Sequence, residues 1–111
     1  MKKYRNELGK LHRLDGPAIE YANGTKSWYQ NNQLHRLDGP AIESSDGDKY
    51  WYQNDQLHRL DGPAVEWADG TKVWSVHGKD ITKEVESWLN EQRFSLPLNE
   101  SAQVLFVLRF G

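Results

Sequence analysis

The chain has no cysteine, one methionine and four prolines among its 111 residues. Without cysteine, disulfide bonds, thiolate catalysis and cysteine-based zinc sites are excluded, and a reducing compartment is the natural expectation. No apolar run approaches the ~20 residues that a membrane-spanning helix needs, and residues 1–6 lack the apolar centre of a signal peptide. We therefore expect a cytoplasmic protein without a membrane span.

An excess of positive charge is also absent. Fourteen basic against sixteen acidic side chains leave a formal net charge of -2. Binding to nucleic acid or to an anionic lipid surface depends on clustered positive charge. The composition therefore predicts that nucleic acid is not a partner.

What the chain does contain is a repeat. The segment Leu11–Glu20 returns unchanged at Leu34–Glu43 and, with one Ile-to-Val exchange, at Leu57–Glu66, so the period is 23 residues. Units of this length bury their apolar faces only by stacking on their neighbours, and about three are needed for stability. We expect one domain, made of a repeat array at 1–79 (a half repeat at 4–10, repeats at 11–33, 34–56 and 57–79) and a C-terminal cap at 80–111.

A hairpin signal recurs in every repeat. Asn-Gly or Asp-Gly separates two short apolar-polar runs at 23–24, 46–47 and 69–70. Such pairs favour two-residue type I′ turns, which need positive φ at both positions. The implied register pairs Ile19 with Trp28, and the equivalent pairs would build the core face. The predicted fold is mainly β, a single elongated twisted antiparallel sheet of stacked hairpins with a C-terminal helical cap.

Asn31–Pro40 connects one predicted hairpin to the next, and its turn-forming residues predict an ordered loop. The repeated His12, His35 and His58 invite a metal-site interpretation. Equivalent atoms of successive repeats lie two strands or ~10 Å apart, whereas zinc–nitrogen bonds measure ~2.1 Å. We therefore expect these histidines to bond to backbone groups of the turns, with no metal and no cofactor.

The repeat fails after Gly78. Thr82 is a plausible helix N-cap, and Val85, Trp88 and Leu89 lie at i, i+3 and i+4, which predicts a helix at about 82–92. The apolar segment 104–110 is rich in β-branched and aromatic residues. This composition favours a strand over a helix capped by Asn99, and the segment should cover an open sheet end or meet a partner.

The repeat motifs resemble a known family. Trp28-Tyr29-x-Asn31, Leu34-His35-Arg36-x-Asp38-Gly39-Pro40 and the Asn or Asp before each turn glycine are similar to the MORN repeat, over residues 4 to about 79. This version resembles the form common in tailed-phage and giant-virus reading frames. The resemblance implies one hairpin per 23 residues and an elongated sheet used for protein contacts, in some cases for lipid contacts.

The repeated acids do not predict catalysis, because equal environments along a regular sheet cannot push two pKa values apart. We expect no enzyme, but a non-enzymatic protein-binding module, a phage-encoded inhibitor that occupies a host defence protein with a basic surface. The alternatives are a lipid- or carbohydrate-binding array and a self-assembling structural protein, a homo-oligomer through the C-terminal segment. The partner-binding residues are predicted on one exposed face and are Glu20, Tyr29, Glu43, Asp46, Asp48, Tyr50 and Tyr52.

Overall fold

The computed structural model describes all residues, 1–111, and is mainly β with two short helices. A seven-stranded antiparallel sheet has the order β1-β2-β3-β6-β7-β10-β11, and the other six strands form three two-stranded hairpins. No helix is both long and apolar enough to cross a membrane. The elements are β1 (Lys2–Lys3), β2 (Ile19–Glu20), β3 (Lys26–Ser27), β4 (Tyr29–Gln30), β5 (Gln33–Leu34), β6 (Ile42–Glu43), β7 (Lys49–Tyr50), β8 (Tyr52–Gln53), β9 (Gln56–Leu57), β10 (Val65–Glu66), β11 (Lys72–Val73), β12 (Ser75–Val76), β13 (Lys79–Asp80), α1 (Thr82–Gln92) and α2 (Glu100–Phe110).

The hairpin register differs by one residue from the predicted one. Ile19 pairs with Ser27, not with Trp28. The N–H of Gly24 donates to the carbonyl of Tyr21, and Gly24 alone of the turn pair has a positive φ, of 93°. A type I turn followed by a left-handed glycine makes a three-residue loop, so the prediction of a two-residue turn at Asn-Gly is wrong.

The two-residue turns lie instead in the segments that were predicted to be loops. Asn31 and Asn32 have φ values of 51° and 67° and join β4 to β5, where Tyr29 pairs with Leu34. The same turn recurs at 54–55 and 77–78. The loop prediction is therefore wrong for the first half of 31–40. The three small hairpins also correct the prediction of one single sheet.

Two faces of the main sheet follow from the observed register, because paired residues share a face and successive residues alternate. Tyr50 pairs with Ile42 and with Val65, so these three share one face. We call it the tyrosine face. Glu43 pairs with Lys26 and Lys49 on the opposite side. We call this side the arginine face, because Arg36 lies beside Glu43 there.

The predicted core face is wrong in consequence. Ile42 lies on the tyrosine face, whereas Trp51, next to Tyr50, lies on the arginine face. Within the array, Ala18, Ala41 and Ala64 are fully buried. Ile19 and Val65 on the tyrosine face are buried as well, whereas Trp28 and Trp51 are only half-buried, so no layer of Ile–Trp pairs forms.

The largest buried cluster joins the third repeat to the helices. Trp74, which is 2% exposed, packs with Phe106 at 5.4 Å between ring centroids. The full cluster comprises Trp74, Val76, Ile81, Val85, Trp88, Leu98, Ala102 and Phe106.

Helix α1 occupies the range expected from the sequence, but its N-cap is Ile81, so the prediction of Thr82 as N-cap is wrong. Thr82 is the first helical residue. Its hydroxyl donates to Asp80 at 2.6 Å and accepts from the N–H of Trp74 at 3.0 Å. Because the side chain is already bonded to the preceding hairpin, it does not cap its own helix.

The prediction that favoured a strand at 104–110 is wrong. The segment is part of a helix, which was the alternative. Asn99 caps α2 by accepting a hydrogen bond from the N–H of Ala102 at 2.8 Å. Helical geometry places Ala102 and Phe106 four residues apart on one side, and both are buried. Phe110, four residues after Phe106, packs on the same cluster. The exposed apolar residues of the segment are Val104, Leu105, Val107 and Leu108.

Candidate protein-binding surface

A repeated arginine clamp occupies the arginine face. The guanidinium of Arg36 stacks on the Trp28 ring at 3.8 Å, and its Nε donates to Asp38 at 2.9 Å. Its Nη1 donates to the carbonyl of Pro40 at 3.0 Å and lies 3.8 Å from Glu43. A planar, always charged fork suits this combination of stacking and hydrogen bonding. Arg59 on Trp51 and Arg13 on Tyr4 repeat the stacking at 3.9 and 4.0 Å.

The clamp engages two of the predicted partner-binding residues. Glu20 lies 3.6 Å from Arg13, just as Glu43 lies near Arg36. The register therefore separates Glu20 and Glu43 from Tyr50, and the prediction that they share its face is wrong. The hydrogen bond from Arg13 also holds the pKa of Asp15 below its usual range.

The histidines link the turns of each repeat, as predicted. His12 Nδ1 accepts from the N–H of Asn31 at 3.1 Å, and His35 accepts from Asn54 at the same distance. His58 accepts from the N–H of His77 at 2.9 Å, and the two rings lie 4.4 Å apart. Burial, with a smaller effect of His77, lowers the pKa of His58. No group of three or more His, Asp or Glu side chains is arranged to hold a metal ion.

Aromatic side chains gather on the tyrosine face near the hairpin tips. Tyr50 contacts Trp67 edge to face, with ring centroids 5.6 Å apart. Trp67 is 37% exposed, and Tyr21, at the equivalent position of the first repeat, is 38% exposed. Burial raises the pKa of Tyr50, and the nearby Asp48, Asp46 and Tyr52 add to the shift. An aromatic pair beside carboxylates therefore faces solvent.

Tyr29 and Tyr52 extend this surface into the small hairpins. Tyr52 lies near both Tyr50 and Tyr29, because it contributes to the raised pKa of each. Burial raises the pKa of Tyr29, with smaller contributions from Tyr21, Asp55 and Tyr52. Both tyrosines are half-buried.

The two predicted aspartates at the second hairpin tip differ in role. Asp48 Oδ1 accepts from the N–H of Ala68 at 2.6 Å, a bond between successive hairpins. Asp46 Oδ1 accepts from the N–H of Asp48 at 3.2 Å, and Asp46 is exposed. Asp46 is thus the carboxylate available to a partner, whereas Asp48 also holds the array together.

Sequence reasoning missed Tyr21 and Trp67. With the register wrong by one residue, neither was assigned to the face that carries Tyr50. The sequence did contain a signal. The equivalent position of the three repeats carries Tyr21, Ser44 and Trp67, so a small residue stands between two large aromatic ones and suggests a notch. In the observed register the residue that pairs with Tyr50 is Val65, two positions before Trp67.

An apolar groove lies along α2. It has a volume of about 550 Å³ and contains Leu60, Val104, Val107 and Leu108. Leu108 is 79% exposed and Val104 60% exposed.

No family model, curated protein or solved structure matches the chain.

Proposed function

We propose that this protein is a non-enzymatic protein-binding module, a MORN-like array of period 23 with a helical cap. Its tyrosine face occupies the surface of a partner protein. The observation that carries the proposal is the Tyr50–Trp67 pair, which packs edge to face at the surface beside Asp46 and Asp48. Tyrosine and tryptophan dominate the binding energy of many interfaces, because they bury much area with few rotatable bonds.

The charges around the pair define the partner. Asp46 is exposed at the tip, and the proximity of Asp46 and Asp48 helps to raise the pKa of Tyr50, so negative potential surrounds the ring. A partner with basic side chains around an apolar pocket would complement this pattern and associate faster at low salt.

The biological form of the proposal follows from the repeat motifs. Their resemblance to the viral version of the repeat supports a phage-encoded inhibitor that acts in the host cytoplasm by occupying a defence protein. A small array of exposed aromatics and acids is suited to such blocking, since the inhibitor needs surface complementarity and no chemistry of its own.

The test exploits the repeat itself. Five residues of the tyrosine face can each be replaced by the residue that another repeat has at the equivalent position, so that the fold is expected to tolerate them. The exchanges are Asp46→Asn, Asp48→Thr, Tyr50→Val, Tyr52→Ser and Trp67→Ser. Tagged parent and fivefold variant are incubated with lysate of the bacterial host, and recovered proteins are quantified by mass spectrometry.

We expect the parent to retain one partner in stoichiometric amount and the variant to lose it. The matched control is Lys49→Ala, which changes an exposed residue of the same strand on the opposite face. Circular dichroism checks that each protein is folded. A folded fivefold variant that retains the partner as well as the parent would contradict the proposal.

A second candidate, self-assembly, is favoured by the exposed Val104 and Leu108 on α2. Light scattering distinguishes the two. If the parent is a dimer and Leu108→Glu is a monomer, α2 is an interface between copies. A parent that is monomeric at high concentration removes this candidate.

A further inference from the structure

The outer edge of β11 is not paired with another strand, whereas the equivalent edges inside the array are. β3 pairs on its outer side with β6 of the next repeat, and β7 pairs with β10. β11 is the last strand in the sheet order and pairs only with β10. Because a strand edge offers unpaired N–H and C=O groups, it is a template for another extended segment.

The two junctions between successive hairpins, β3 with β6 and β7 with β10, show which residues pair with such an edge. Lys26 faces Glu43, and Ser27 faces Ile42. In the next junction, Lys49 faces Glu66 and Tyr50 faces Val65. Each incoming strand is thus an aliphatic residue followed by a glutamate, and the glutamate stands opposite a lysine.

A side-chain acceptor completes each junction at the hairpin tip. The N–H of Ser45 donates to Thr25 Oγ1 at 3.1 Å, and the N–H of Ala68 donates to Asp48 Oδ1 at 2.6 Å. The corresponding residue of the third repeat is Thr71, which is exposed. The third hairpin therefore presents all three elements of the junction, Thr71, Lys72 and Val73.

We propose that the outer edge of β11 binds an extended strand of a partner protein in which an aliphatic residue precedes a glutamate. The aliphatic residue pairs with Val73 and the glutamate with Lys72, in antiparallel register. Main-chain hydrogen bonds supply the affinity of such strand addition, and the facing side chains supply the specificity.

The cap limits the length of this site. At the other junctions the N–H of Trp28 or Trp51 donates to the carbonyl of an alanine in the next repeat. At the third repeat the N–H of Trp74 donates instead to Thr82 Oγ1 at 3.0 Å. The cap thus closes the edge at Trp74 and leaves it open from Thr71 to Val73.

A second copy of this chain does not fit the edge. Its own outer strand, β1, carries Lys2 and Lys3 and would place lysine opposite Lys72. Two β11 edges paired around a two-fold axis would bring Lys72 against its own copy. Like charges directly opposite one another destabilise a strand pair, so the occupant is a different, acidic segment.

The experiment uses a synthetic peptide with the sequence of residues 38–45, which contains the strand that fills the first junction. Backbone amide shifts of the isotope-labelled full chain are followed by NMR during titration. We expect saturable shifts centred on 71–73. Methylation of the peptide nitrogen at its glutamate should abolish them, because that N–H faces the carbonyl of Lys72.

A second set of measurements tests the pairing of lysine with glutamate. A peptide with lysine in place of its glutamate should bind the parent about two- to fivefold more weakly, the range of a cross-strand pair, and should recover affinity for Lys72→Glu. Lys83→Glu, on the exposed surface of α1, is the control that changes net charge equally.

Absence of saturable shifts at 71–73, or equal shifts with the N-methylated peptide, would overturn the proposal. This edge is separate from the tyrosine face, and the peptide titration needs no partner protein. The edge and the tyrosine face can therefore fail independently.

Discussion

Arginine is the residue on which the repeat depends most. Arg36 meets the ring of the preceding repeat on one side and a carboxylate and a carbonyl of its own repeat on the other. The sequence could not reveal this stacking, because the ring lies in another hairpin. This stacking joins repeats without a thick apolar core.

We predict that Arg36→Lys destabilises the protein nearly as much as Arg36→Ala. Lysine keeps the charge but loses the planar fork that stacks on Trp28 and bonds to Asp38 and Pro40 at once. The loss should be about 1–3 kcal/mol, which combines a stacking contribution with hydrogen bonds from a charged group. Urea unfolding measures it, and Lys26→Ala serves as the exposed control. Full stability of Arg36→Lys would show that charge alone suffices.

The three aromatic positions of the repeat should rank by burial. Trp74→Ala removes a ring that is 2% exposed, and a loss of about 3–5 kcal/mol is expected. Trp51→Ala should cost less because that ring is only half-buried beneath Arg59, and Tyr52→Ala least. Chemical denaturation of the three variants gives the order. A Tyr52→Ala loss equal to that of Trp74→Ala would contradict the assignment.

Acid should weaken the link between the third repeat and its turn. His58 accepts a hydrogen bond at Nδ1, which the imidazolium cannot do, and burial lowers the pKa of His58 below its ordinary value. Because the folded state prefers the neutral ring, the stabilisation is present above the unfolded pKa of about 6.5 and is lost as pH falls through the lowered folded pKa. We expect less loss of stability between about pH 7 and pH 5 in His58→Gln than in the parent. Equal pH dependence in urea titrations would refute this role of His58.

Among the elements, the hairpins show why the sequence predicted the class of fold and missed its register. Both the predicted and the observed turns place glycine at a positive φ, so that Asn23-Gly24 fits either loop length. The two-residue turn occurs at Asn31-Asn32, which lacks glycine and was assigned to a loop. The register shift of one residue places Trp28 and its neighbours on the faces opposite to those predicted.

The second helix was the less favoured alternative for a different reason. Its apolar residues run without interruption, so that no helical periodicity separated an inner from an outer side, and residue composition favoured a strand. Burial of Ala102 and Phe106 against the third repeat outweighed that preference. By contrast, α1 showed the spacing of an amphipathic helix and was predicted over its observed range.

The newly identified turns can be tested through their backbone conformation. Asn54 has a φ of 51°, which asparagine and glycine tolerate and a β-branched residue does not. We predict that Asn54→Val costs roughly 1–3 kcal/mol of stability, whereas Asn54→Gly is close to neutral. Thermal unfolding of the two variants provides the comparison. Equal stabilities would mean that β8 and β9 are not joined by this turn.

At the scale of the whole molecule, the structure places the predicted partner-binding residues on two different faces. The molecule measures 48 Å along its long axis, and the two faces of its main sheet differ in character. Glu20 and Glu43 belong to the arginine face, where the clamp engages them, while Tyr29, Tyr50 and Tyr52 belong to the other. Residue types alone predicted aromatics beside acids, but only the register could decide which acids accompany the tyrosines.

Hydrogen–deuterium exchange of the complex shows whether the tyrosine face contacts the partner. With the recovered partner bound, the amides at 44–52 and 66–69 should become protected, while those at 100–110 and in the Asp-Gly-Pro loops should remain unchanged. Protection confined to α2 or to those loops, with 44–52 unaffected, would show that the tyrosine face is not the contact surface.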